Sequence, residues 1–262
     1  MRRRLVVLAA LVTVTVPAWA AASPADLVGA SATLKVVLVP ERLGHGTTIR
    51  FDFALTGPDG ALPPPVATMS LLYPRDFGIL SSGLGLATCS AAALEDFGPR
   101  ACPSRSIIGV GTATGALDVA GERVQEEALT AVFLAPFENG NIALLFFLDA
   151  YEPLLAESVF DGSLQAARAP FGGALTVRVP PIATFPDGPN VALVRLRSTI
   201  GPLGITYYQR ARGEFVPYQP GGIVLPRRCP HGGFPFGARF LLADGEVLST
   251  TTTVPCPGRQ PD

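Results

Sequence analysis

TAVFLAPFENGNIALLFFLD, residues 130–149, is the stretch that decides the fold. Asn139-Gly140 stands midway between two apolar runs. A two-residue type I′ turn needs φ > 0 at both central positions, and Asn followed by Gly tolerates that best. The turn sets a register by arithmetic. Glu138 faces Asn141, Phe137 faces Ile142, Ala135 faces Leu144, Leu134 faces Leu145, Phe133 faces Phe146 and Val132 faces Phe147. One face then carries Phe133, Ala135, Leu144, Phe146 and Leu148, and the other Val132, Leu134, Leu145 and Phe147. Both faces are apolar, so both need cover. A sandwich core covers only one. Leaving the other bare would forfeit about 1.5–3 kcal/mol per side chain and create a sticky patch. The Pro- and Gly-rich segments 151–173 and 201–222 are the expected cover, bringing Leu154, Leu155, Phe160 and Phe171 with few charges.

Outward from this hairpin the chain reads as strand after strand. Thr47 to Leu55 alternates, with Ile49, Phe51, Phe53 and Leu55 inward and Arg50 and Asp52 outward, the pattern of a half-buried antiparallel strand. Leu27 to Val39, Val66 to Tyr73, Ser106 to Ala116, Leu154 to Ala166, Ala174 to Val179 and Val191 to Ile200 are further strands. Asp244-Gly245 centres a second hairpin over Phe236 to Val254, pairing Leu242 with Val247 and Phe240 with Ser249. Ala91 to Phe97 is the one short helical stretch, stopped by Gly98-Pro99. Turn signals recur about every 8–12 residues, as in sandwiches and barrels. The expected fold is all-β, an antiparallel β-sandwich, Ig-like in the loose sense, with little helix. One extended domain over residues 25–257 is preferred to two sandwiches meeting near 118–126.

Composition narrows the function class. Hydrophobic residues make up 48% of 262, enough for a sizeable core, and the 28 Gly and 26 Pro fit a chain rich in turns. A net charge of −1 provides no polyelectrolyte attraction, so nucleic acid is excluded as a partner. Residues 1–22 read as a signal peptide. Arg2, Arg3 and Arg4 precede a short apolar run, and small-x-small sites allow a cut after Ala20 or Ala22. No transmembrane segment is expected after cleavage, and a secreted or extracytoplasmic location follows.

Four cysteines in an exported chain are most simply two disulfides. Sequence neighbours give Cys89–Cys102 and Cys229–Cys256. For the second, the Asp244-Gly245 hairpin places Gly233 opposite Cys256, and a turn through Pro230 to Gly233 returns Cys229 to the same end. A metal site from Cys229, His231 and Cys256 lacks a paired CxxC and is set aside.

CPSRSIIGVGTATG (Cys102 to Gly115) and CPHGGFPFGARFLLADGEVLSTTTTVPC (Cys229 to Cys256) resemble uncharacterised exported proteins of actinobacterial type, built as a disulfide-stapled β-sandwich. The resemblance spans most of the mature chain and implies no activity and no site residues.

Catalytic motifs are sparse. His45 and His231 are the only histidines. His231-Gly232-Gly233 looks like an oxyanion-hole turn, but no GxSxG elbow accompanies it. Asp149, Glu152, Glu157 and Asp161 surround the central hairpin as candidate glycosidase carboxylates, and strand-end acids are ordinarily solvated. Tyr207, Tyr208, Phe215 and Tyr218 could stack on a sugar, although adjacent strand residues point to opposite faces. No residue is assigned to catalysis, a cofactor or a metal. The expected protein is an exported or cell-surface, non-enzymatic structural or binding protein. The alternatives are a carrier of an apolar ligand beside the central hairpin and, behind it, a secreted hydrolase. A cell-envelope component or an apolar ligand are the open readings for its partner.

Overall fold

The structure is a computed structural model, and it describes residues 29–79, 87–137, 142–153, 155–182, 188–220 and 222–257. The signal-peptide reading and the Asn139-Gly140 turn lie outside those residues. The strands are β1 (Ser31–Val39), β2 (Gly46–Thr56), β3 (Val66–Pro74), β4 (Gly78–Ile79), β5 (Ile107–Val119), β6 (Glu122–Leu134), β7 (Ala143–Glu152) and β8 (Ala156–Ala166). They continue with β9 (Phe171–Arg178), β10 (Ala192–Ile200), β11 (Tyr207–Ala211), β12 (Glu214–Tyr218), β13 (Ile223–Val224), β14 (Phe234–Leu242) and β15 (Val247–Val254). One short α-helix among the described residues, α1 (Ala91–Phe97), falls where the sequence places it. No described helix is long and apolar enough to cross a membrane.

The structure is mostly antiparallel β with two disulfides, and the two-sheet expectation resolves differently. All strands but β11 and β12, which pair only with each other, join in one sheet in the order β15-β14-β3-β9-β8-β7-β6-β5-β10-β2, with β1 pairing β2 and the short β13 and β4 continuing beyond β2. β1 comes alongside β15 with no ladder between them, so the sheet is a nearly closed barrel. The inward alternation that sandwiches require serves equally for a sheet curled on itself, because both arrangements have one dry side. Across the interior, β2 packs on β14 through Phe51 against Phe236 (ring centroids 6.4 Å) and Phe53 against Phe240 (5.3 Å). Residues 118–126 lie within the continuous β5–β6 hairpin, which turns at Ala120-Gly121 with Val119 opposite Glu122.

The central hairpin is slipped by one residue from the expected register. Val132 faces Phe146, Phe133 faces Leu145 and Leu134 faces Leu144. Ala135 N–H donates to the Ala143 carbonyl at 2.9 Å, in line with the slipped register. The slip exchanges the faces of β7. Phe146 joins Val132, Leu134 and Leu144 inside the barrel, and Phe147 joins Phe133 and Leu145 outside. The second hairpin slips in the same sense, with Leu241 opposite Val247 and Phe240 opposite Leu248. Its loop is Ala243-Asp244-Gly245, where Gly245 at φ 90 occupies the left-handed position of a three-residue turn.

Both faces of the central hairpin are covered within the chain, as its apolarity demands, but not by the expected segments. Phe133, Leu145 and Phe147 are buried beneath α1 and the Cys89–Cys102 bridge, with Leu94 fully buried between them. Ser90 caps the helix by accepting from Ala93 N–H at 3.2 Å, and Cys89 N–H donates to the Leu134 carbonyl at 2.9 Å. The disulfide, with Cα atoms 5.2 Å apart, holds the far end of this cover. Of the residues first offered as cover, Phe160 packs into the barrel interior and Leu155 is exposed.

Candidate functional site

The residues that sequence reasoning singled out do not converge. Cys89 pairs with Cys102 and Cys229 with Cys256, as expected, and both bridges are structural staples at the margins of the sheet. His45 and His231 lie exposed in separate turns. Asp149 faces Glu157 across β7 and β8, Glu152 faces Glu127, and Asp161 faces Leu145. These positions alternate with the inward ones, so the carboxylates stand on the outer wall rather than in a cleft. Tyr207 is fully buried, and its hydroxyl donates to the Ile107 carbonyl at 2.6 Å. Burial, with a smaller contribution from Tyr218, pushes that phenol well above its usual range. Tyr208 and Phe215 share the exposed face of the β11–β12 hairpin.

The chemistry-bearing space is inside the barrel, in the half away from the Phe51–Phe236 and Phe53–Phe240 contacts. A cavity of about 130 Å³ opens there. Its cause is a single rung of small residues. Ala113 of β5 faces Ala128 of β6, Ala128 faces Ala150 of β7, and Ala150 faces Ala156 of β8. Elsewhere the same inward side is filled by Phe146, Phe160, Leu175 and Val177, so four adjacent strands withdraw their side chains at one level. Protein interiors pack to crystal-like density, and a run of four alanines facing a broad interior leaves a void unless the wall collapses onto it. Phe146, Leu148, Phe160, Leu193 and Leu196 form apolar walls around it, and Val179 to Ile182 with Val191 contribute to one side. A second, wholly apolar space of about 50 Å³ lies among Ile49, Phe51, Leu71, Ile108, Leu144 and Ile200.

Three side chains give the larger cavity its polarity. Glu126 is buried at 5% exposure, and Thr130 and Ser198 stand nearby. The corner between β5 and β10 that brings Ser198 close depends on glycine. A Cβ at Gly111 would lie 2.2 Å from the Arg197 carbonyl oxygen and 2.7 Å from Thr130 Oγ1, so no larger residue fits. None of these residues was picked out from the sequence. The signal was present as the period-two run Gly109, Gly111, Ala113, Gly115, whose inward positions are all small.

On the outer wall, Asp52 receives Arg195 through Nε at 2.8 Å and Nη2 at 2.6 Å, with Arg197 at 3.6 Å. The Arg195 hydrogen bonds hold the Asp52 carboxyl below the usual carboxylate range, against a partial opposing effect of burial. The pair ties β2 to β10 and stands apart from the cavity. No group of three or more His, Cys, Asp or Glu that could hold a metal occurs among the described residues. Comparison with protein-family models, with curated proteins and with solved structures finds no match.

Proposed function

We propose that this chain is an exported binding protein that holds a small apolar ligand inside its barrel. The observation that carries the reading is the rung of four alanines, Ala113, Ala128, Ala150 and Ala156, and the cavity of about 130 Å³ that it opens. An empty apolar cavity of about 150 Å³ takes up a molecule the size of benzene. Burying about 200 Å² of apolar ligand surface is worth about 5 kcal/mol, a Kd on the order of 0.2 mM. Among the described residues, the polar groups at the cavity are a carboxylate and two hydroxyls, with no histidine, cysteine or lysine beside them, which favours binding over hydrolysis. Export is supported by the basic start, the short apolar run and the Ala-x-Ala sites at residues 1–22, and two disulfides suit an oxidising compartment.

Toluene titration followed by calorimetry and thermal unfolding tests the reading. The native protein should bind toluene at sub-millimolar to millimolar concentration and melt higher in its presence. Ala128→Leu, which fills the rung from its middle, should abolish both effects. Failure of the native protein to bind, or undiminished binding by the Ala128 variant, overturns it.

A further inference from the structure

The level of the barrel next to the alanine rung carries a different pattern. Ser198 of β10 faces Gly111 of β5, and Gly111 faces Thr130 of β6. Two hydroxyl-bearing residues therefore flank a glycine on one inward level. Their Cα atoms are separated by two strand spacings of about 4.8 Å each. Thr130 Oγ1 lies over the Gly111 backbone, in space that any side chain at Gly111 would contest. That oxygen is buried, and no hydrogen-bond partner meets it among the described residues. Buried hydroxyls in proteins are nearly always satisfied, and Thr130 lines the cavity, so a turn about its Cα–Cβ bond would present this oxygen to a ligand there as its partner.

We infer that the ligand carries a hydroxyl group and that Thr130 receives it, so the cavity takes a small hydroxylated apolar molecule of phenol or short-chain alcohol size. This rests on the cavity being the binding site and adds the chemical class of its occupant. The ligand hydroxyl lies on the cavity side of Thr130 and Ser198, both of which line it, where it can donate to one oxygen and accept from the other. Its apolar body occupies the space above the alanines. Leu148, Phe160 and Leu196 offer that body an apolar surface.

Phenol and toluene differ by this one group and serve as probes with the full chain. The native protein should bind phenol more tightly than toluene. Thr130→Val keeps the shape of the side chain and removes its hydroxyl. It should lose roughly tenfold in phenol affinity, the worth of one hydrogen bond, while toluene affinity stays within about twofold. Unchanged phenol binding by the Val variant, or equal loss for both probes, overturns the assignment and leaves the cavity reading standing. If the native protein binds neither probe, the cavity reading falls and the assignment with it.

Discussion

Leu94→Ala is the sharpest test of how the outer face of the central hairpin is held. Leu94 is fully buried, and it projects from α1 onto Phe133, Leu145 and Phe147. Leu-to-Ala replacements in cores cost about 2–5 kcal/mol, and the spread reflects how far the surroundings relax into the space. Relaxation is restricted here from both sides. Below, β6 and β7 are each paired on both edges and cannot bulge outward without breaking ladders. Above, α1 is capped by Ser90 and closed by the Cys89–Cys102 bridge, so it cannot settle inward as a free helix would. The cost should therefore fall in the upper part of the range, about 3–4.5 kcal/mol. Urea unfolding would show it as a lower midpoint at an unchanged slope. Phe97→Ala, on the same helix but 76% exposed, is the matched control and should stay within about 0.5 kcal/mol. A Leu94 cost below about 1 kcal/mol, or a Phe97 cost equal to it, would refute the idea that this helix is a packed cover.

The Cys229–Cys256 bridge closes a separation of 27 residues at the open end of the β14–β15 hairpin, and its loss through Cys229→Ala with Cys256→Ser should cost about 3.5 kcal/mol. Peptide mapping without reductant should recover the two expected links, and a bond from Cys89 to Cys229 or Cys256 would contradict the structure. The Asp52–Arg195 pair makes stability depend on acid in a definite direction. Because the folded carboxyl titrates below its unfolded value of about 3.9, the unfolded chain binds more protons between the two, and stability rises with pH across that interval. The contribution is present above that value and is lost as pH falls through the folded pKa. Arg195→Gln should flatten this acid limb of the stability curve, and an unchanged limb would show that the pair does not set it.

Strand content was legible because alternation is a local property. Ile49, Phe51, Phe53 and Leu55 announce an inward face whichever strands lie beside them, and all four are buried. The helix was legible for a similar reason, since Ser90, the short Ala run and Gly98 form a complete start and stop. The choice between a sandwich and a nearly closed barrel was not, because it depends on whether β1 meets β15, two strands some two hundred residues apart with no pairing signature of their own. The cover over Phe133 escaped notice because the only large side chain it buries there is Leu94. A disulfide holds this small cover in place, so Leu94 with Cys89 and Cys102 suffices where hydrophobic area alone would point to a larger segment.

The cavity was hidden by the one-residue slip. With a two-residue turn at Asn139-Gly140, Ala128 would face Tyr151, and the small residues of β5 and β6 would end against an aromatic side chain. In the slipped register, Ala128 faces Ala150, and the rung runs unbroken from Ala113 to Ala156. Alanine is unremarked at each of these places in the sequence, since it counts as hydrophobic in any alternation and as neutral in any propensity. Only register turns four scattered alanines into a single absence of volume. The same register puts Gly111 between Ser198 and Thr130, so the void and its hydroxyls belong to adjacent levels of one wall. Filling the rung should therefore silence both probes together, whereas removing the Thr130 hydroxyl should silence only the difference between them. That separation of effects is what distinguishes a built site from a packing defect, since a defect has no reason to prefer phenol.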